Sequence, residues 1–182
     1  MIVGISGTSG VVLGIRLLEV LKKCGFETHL IITDSAKSII PHETIYTVKQ
    51  VEKLATHVYN NDDLFSPVAS GSFRTEGMIV IPCSMKTLAG VASGYADNLL
   101  LRTADVMLKE RRRLVLVARE TPLSLIHIEN MERVTRAGGV IMPPVITLYS
   151  KPKRIDDMVD HLVGKALDLF GIENNIYMRW KE

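Results

Sequence analysis

Cysteine is nearly absent: the 182 residues hold two, Cys24 and Cys83, far apart and outside any C-x-x-C pair. That scarcity excludes a disulfide framework and a zinc knuckle, and it fits a reducing cytoplasm. Neither charge sign is in excess, with 22 Lys+Arg against 20 Asp+Glu and a net charge of +2, so the phosphate-tracking surface of a nucleic-acid binder is missing. No apolar run approaches the roughly 20 residues that cross a bilayer. The chain opens on the strand-like MIVGIS instead of a charged leader. The expectation is a cytoplasmic protein, neither exported nor membrane-spanning. The histidines, His29, His42, His57, His127 and His161, lack ligand spacing such as H-x-x-x-H, and no metal site is expected. Internal repeats, linkers and low-complexity tracts are also missing.

What the chain does have is apolar content, 47% of its residues, enough for one domain spanning 1–182 to bury a continuous core. Short apolar runs predict strands at 2–5, 27–33, 78–82, 114–118 and 140–142, the third of them of the kind buried on both faces of a parallel sheet. Helical spacing predicts helices at 11–23, 35–40 (stopped by Pro41), 47–55, 84–92, 98–110, 123–137 and 154–170, the last with Gly171 at its C-cap. Residues 60–77 hold turn formers and read as a long surface excursion. Alternation of this kind predicts an α/β fold, a doubly wound parallel sheet whose ligands sit beyond the C-terminal strand ends.

Two strand ends carry hydroxyls and glycines. GISGTSG places Gly4, Gly7 and Gly10 between a strand and a helix, with Ser6, Thr8 and Ser9 beside them. Backbone N–H groups at a helix N-terminus favour an anion, and glycine lets a ligand approach the main chain. Neither the G-K-[ST] of a Walker loop nor the G-x-G-x-x-G dinucleotide spacing is present, so a mononucleotide is the better match. PCSMKTLAG repeats the arrangement, with Ser84 and Thr87 as capping hydroxyls and Lys86 as a cation. Cys83 within it reads as a small buried hydrophobe.

Arg119 and Glu120 directly follow the apolar run LVLVA, where parallel-sheet active sites are built; the guanidinium could bind phosphate and the carboxylate exchange protons. Lys109, Arg111, Arg112 and Arg113 read on composition alone as a solvated helix end, and Lys165 as a lysine whose stem lies along apolar surface. After Pro143 and Pro144, Tyr149 and Lys151 are exposed candidates.

Taken together and in this order, GISGTSG, SGSFRTEGM, PCSMKTLAG, LKERR followed by RETPL, and the prolines followed by Tyr149 resemble the UbiX-type flavin prenyltransferases of the HFCD flavoprotein superfamily, across nearly the whole chain. The resemblance implies a Rossmann-like or flavodoxin-like single domain that binds reduced FMN. It implies that the enzyme joins a dimethylallyl group, from dimethylallyl phosphate, to N5 and C6 of the flavin without a metal. Carried over, the flavin site includes Gly7, Thr8, Ser9, Thr33, Glu43, Ser84, Met85, Lys86, Thr87, Arg102, Arg119 and Trp180, while the donor phosphate meets Lys109, Arg119, Tyr149 and Lys165. Ser9, Glu120 and Lys109 are the implied catalytic groups. A homo-oligomer, a dodecamer built from trimers, is implied, with residues 172–182 at a subunit interface and with delivery of the product to a UbiD-type decarboxylase of ubiquinone or aromatic-acid metabolism. The chain departs from the commonest pattern at Thr8, Thr33 and Lys165, where alanine, serine and arginine are frequent. Monophosphate and diphosphate donors suit these residues equally.

Two other readings compete. A flavin-dependent cysteine decarboxylase would use an active-site histidine and a P-x-M-N-type motif, whereas no histidine falls between His57 and His127 and PCSMKT stands at the motif's place. A non-catalytic FMN-binding subunit of an aromatic-acid decarboxylase would have no use for Ser9, Lys109, Glu120, Tyr149 and Lys165 together.

Overall fold

Six parallel strands form one sheet in the computed structural model, which describes residues 1–180. They are β1 (Ile2–Ile5), β2 (His29–Ile32), β3 (His57–Tyr59), β4 (Met78–Cys83), β5 (Leu114–Ala118) and β6 (Val140–Ile141), in the spatial order β3-β2-β1-β4-β5-β6. Parallel neighbours need a crossover, and the helices supply it: α1 (Val11–Lys23), α2 (Asp34–Glu43), α3 (Val48–Glu52), α4 (Met85–Ser93), α5 (Leu99–Lys109), α6 (Leu125–Arg136) and α7 (Ile155–Asp168). This is the α/β doubly wound architecture expected from the alternation. Among the described residues, no helix is long and apolar enough to cross a membrane.

Strand side chains alternate between faces, which explains why the apolar runs are continuous. Val3, Ile5, Ile79, Ile81, Val115 and Val117 pack with α1 and α7 on one side. Ile2, Met78, Val80, Leu114 and Leu116 pack with α4 and α5 on the other. Gly14 sets how closely α1 can lie: a Cβ there would come within 2.4 Å of the Ile81 carbonyl oxygen, so the helix rests on the backbone of β4. Arg16 then ties α1 to α7 through a two-point bond to Asp160, at 2.6 and 3.3 Å.

Several boundaries differ from expectation. Pro41 does not stop α2, which runs on to Glu43. Its missing N–H falls in the last turn, where Thr44 closes the helix by donating its N–H (3.0 Å) and its hydroxyl (2.7 Å) to the Ile40 carbonyl. The helix expected at 47–55 is only the five residues of α3, opened by a Thr47/Gln50 capping box. The chain then turns to add β3, which the sequence did not suggest, at the sheet edge. The strand expected at 27–33 narrows to β2 because its flanks have other work: Thr28 exchanges side-chain-to-backbone bonds with Thr56, and Thr33 caps α2. The 60–77 excursion contains one 3-10 turn, Pro67–Ala69. Its buried Asn61 accepts from the N–H groups of Leu99 and Leu100 at the start of α5.

From β1 the chain proceeds outward to β2 and β3 on one side, and β4, β5 and β6 lie on the other. The crevice beyond the C-terminal ends of β1 and β4 is therefore the topological switch point, the place where open α/β sheets hold their ligands.

Candidate functional site

The two hydroxyl-bearing strand ends meet at that switch point because β1 and β4 are paired neighbours. Ser6, fully buried, donates its hydroxyl to the Pro82 carbonyl (3.0 Å) and accepts the Ser84 N–H (2.8 Å). GISGTSG and PCSMKT are thus bracketed together by one side chain. Ser84 caps α4, accepting from the Thr87 N–H (3.3 Å) and donating to the Thr87 hydroxyl (3.1 Å). Arg119 joins the same rim, its N–H bonded to the Cys83 carbonyl at 3.1 Å.

At the tip of α1 no side chain serves as N-cap; Gly10 takes that position with a φ of 99°, which glycine adopts without strain. The first-turn N–H groups of a helix so begun are open to a ligand. Glu43, at the end of α2, reaches across to accept the Gly10 N–H at 2.8 Å. An acceptor and helix N–H donors side by side suit a ligand hydroxyl as well as an anion. Gly7 passes hard against Ser35 in the first turn of α2, a contact that leaves no room for a Cβ. Thr33, bonded through its N–H to the Ile5 carbonyl, stands beside it. The loop that follows β1, the starts of α2 and α4 and the Arg119 backbone therefore come together at one end of the sheet, with Glu43 beside them. The donors gathered there fit a phosphorylated mononucleotide with a polyol chain.

Other expected residues have partners of their own. Arg102, in α5, is engaged by Asp105 (2.8 Å) and the Ala69 carbonyl (3.2 Å), tying down the surface excursion. Lys109 ends α5 and pairs with Glu110. It precedes β5 where Arg119 follows it, so roughly 16 Å of extended strand separates the two levels. Lys165 is in the last turn of α7, 3.9 Å from Asp168. Phe170, just beyond that helix, packs against Gly77 ahead of β4, which places this end at the same far edge of the sheet as Lys109. Tyr149 meets Trp180 and His161 edge to face, with ring centres 5.0 and 5.7 Å apart. Within one chain, the four groups expected on the donor phosphate are not assembled.

Glu120 follows Arg119 beyond β5. It is exposed, bonds only the neighbouring Thr121 N–H (3.0 Å), and makes no ion pair with Arg119 among the described residues, so no burial cost singles it out in the isolated chain. Cys83 is fully buried and burial pushes its thiol far up, in keeping with a packing role. The bracket made by Ser6 has no sequence signal: the motif shows its hydroxyl, but nothing local says that it points across the sheet.

Comparison with known proteins bears on what this rim holds. The flavoprotein family model matches residues 1–167. The flavin prenyltransferase UbiX of Methanocaldococcus jannaschii is 48% identical over 180 residues, covering 99% of this chain and 97% of that protein. The crystal structure of AnUbiX in complex with FMN and dimethylallyl pyrophosphate superposes with a TM-score of 0.98 at 53% identity, covering 100% of this chain and 96% of the other. A dodecameric FMN-dependent UbiX-like decarboxylase from Escherichia coli O157:H7 superposes with a TM-score of 0.97 at 49% identity, covering 100% and 98%.

Proposed function

Because the chain belongs to the UbiX-type flavin prenyltransferases, we propose that it joins the dimethylallyl group of dimethylallyl phosphate to N5 and C6 of reduced FMN. The product would serve a UbiD-type decarboxylase of ubiquinone or aromatic-acid metabolism, in the cytoplasm. The observation that carries this reading is the Ser6 bracket, which locks two hydroxyl-bearing strand ends side by side at the switch point with Arg119 on the same rim. Bound there, reduced FMN supplies the two nucleophilic ring positions. The α1 tip with Glu43, Thr33, Ser84 and Thr87 hold the ligand's hydroxyls and phosphate, and Ser9 positions N5 or relays a proton. Arg119, Lys109, Tyr149 and Lys165 offset charge on the departing phosphate, a role that fixed cations and hydroxyls perform well in a site closed to water. Glu120 takes the proton from C6 or delivers one to that phosphate.

Since Lys109 and Lys165 sit at the far edge of the sheet from Arg119, the complete site draws on more than one copy of the chain, each a single flavoprotein domain of residues 1–182. Exposed apolar side chains support such an assembly: Leu125 and Ile126 on α6, Val145, Ile146 and Leu148 before α7, and Ile155 on it. We assign the C-terminal segment, 172–182, to a subunit interface; residues 181 and 182 of it lie outside the described residues. Within it, Trp180 is 65% exposed although it is the chain's only tryptophan. Assembly of this chain as a dodecamer built from trimers is part of the proposal, supported by the E. coli O157:H7 relative, which is dodecameric. The test is incubation with FMN, a reductant and dimethylallyl phosphate or diphosphate, then mass analysis of the flavin. One added prenyl unit, dependent on donor and reductant, is the expected result; bound but unmodified FMN with both donors would make the protein a carrier.

A further inference from the structure

Glu27, His29 and His57 converge at the opposite edge of the sheet from the crevice, where β2 and β3 begin. His29 and His57 are register partners on these adjacent parallel strands, so their side chains leave the same face. Glu27 stands two residues before His29, the spacing that returns an extended chain to that face. Helical ligand spacing such as H-x-x-x-H is the wrong test for this arrangement, because a sheet brings ligands together at i, i+2 and across a register.

The geometry is that of a partly formed coordination sphere. The imidazoles stack with ring centres 4.8 Å apart and planes 10° apart. The Glu27 carboxylate oxygen Oε1 lies 2.8 Å from His57 Nε2 and 3.9 Å from His29 Nε2. One donor atom from each of the three residues falls within 4.8 Å of the others. His29 is buried and held from behind: its Nδ1 is 3.0 Å from the Tyr59 hydroxyl, and Phe73 packs edge-on at 5.0 Å. A ring nitrogen anchored by a hydrogen bond while the other faces a ligand position is the usual support of a metal-binding histidine. Glu27 and His57 are exposed, leaving room for water in the remaining positions.

We propose that Glu27, His29 and His57 form a binding site for a divalent transition-metal ion, with zinc the ion that suits the donors, and that this ion clips the edge strand β3 to β2. Two imidazoles and one carboxylate are a recurrent zinc set. Tetrahedral coordination with bonds of about 2.0–2.1 Å brings donor atoms to about 3.3 Å from one another. The two carboxylate-to-imidazole separations straddle that value, and rotation of the exposed Glu27 and His57 side chains closes the difference. β3 spans only three residues and Val58 on it is exposed, so a cross-link at its first residue restrains an otherwise weakly held edge. The site is independent of the prenylation reading.

The full chain, freed of any affinity tag and stripped with a chelator, is titrated with zinc against a chromophoric competitor, and its thermal midpoint is measured with and without the ion. One zinc per chain and a raised midpoint are expected. Tyr59→Phe, which removes only the hydroxyl on the supporting nitrogen, should weaken binding about 10-fold, and His57→Gln or Glu27→Gln about 100-fold or more. His127→Gln should leave it unchanged. Zinc bound equally by wild type and His57→Gln, or no stoichiometric binding to wild type at all, would overturn the assignment.

Discussion

Ser6→Ala is the substitution that asks most directly whether the crevice is built by the bracket between β1 and β4. The side chain is fully buried and its hydroxyl makes two bonds, one to the Pro82 carbonyl and one from the Ser84 N–H. The carbonyl keeps a second partner, because the Ser6 backbone N–H also donates to it at 3.2 Å. The Ser84 N–H does not, and the cavity left by one oxygen atom is too small for a water to be seated well. The loss is therefore that of one buried unsatisfied donor, about 1–3 kcal/mol. At a central 2 kcal/mol, a chain of this size should melt about 4–8 °C lower. The assay is thermal and urea denaturation of both proteins at one fixed protein concentration, since the proposed assembly would make stability concentration-dependent. Flavin affinity, read by fluorescence, should fall as well, because Ser84 at the head of α4 loses its tether. Ser9→Ala, at an exposed position of the same loop, should stay within about 0.5 kcal/mol of wild type. A Ser6→Ala protein with wild-type stability and wild-type FMN binding would refute the idea that this hydroxyl organises the site.

Glu120→Gln separates chemistry from structure: the side chain is exposed and bonds only its neighbour, so stability should move by no more than about 0.5 kcal/mol. Single-turnover mass analysis should nevertheless show flavin prenylation slowed about 100-fold to 10,000-fold, the usual worth of a general acid or base; a wild-type rate would send the proton transfer to Ser9 or the leaving phosphate. Asp168 clamps the C-terminal segment to α7 through Arg179 (2.8 and 3.0 Å), the Tyr177 hydroxyl and Asn174 (3.1 Å). Burial pushes its pKa up, but the hydrogen bonds from Arg179 and Tyr177 outweigh that and hold it below the ordinary 3.8. A depressed carboxylate contributes stability above its unfolded pKa and loses it as the pH falls through the folded value. The stability gap between wild type and Asp168→Asn, from denaturation midpoints, should therefore be full at about pH 6 and shrink below about pH 4; a gap independent of pH would contradict the clamp.

Elements with a strong local signature were legible in the chain. Val11–Lys23 and Leu114–Ala118 appear at the expected residues, because apolar periodicity and β-branched runs are properties of neighbours in sequence. Ser84 and Asn98 head their helices for the same reason: an N-cap acts over three residues. The placement of Arg119 and Glu120 at a strand end followed from the run that precedes them. Pairing across the sheet carries no such local mark. That β1 lies beside β4, 76 residues on, is what turns Ser6 from a loop hydroxyl into a bracket. The register of β2 against β3 is what makes a stacked pair of His29 and His57, which lie 28 residues apart with no motif between them. The same strands and helices set Lys109 and Lys165 at one edge of the sheet and Arg119 at the other, so residues that share one expected role are separated within the chain. Sequence determined the strands and helices with strong apolar periodicity and which chemistry their ends carry, since those depend on contacts a few residues long; tertiary structure decided the edge strand β3 and which strand ends share a crevice, since those depend on long-range hydrogen bonding and on burying both faces of one sheet.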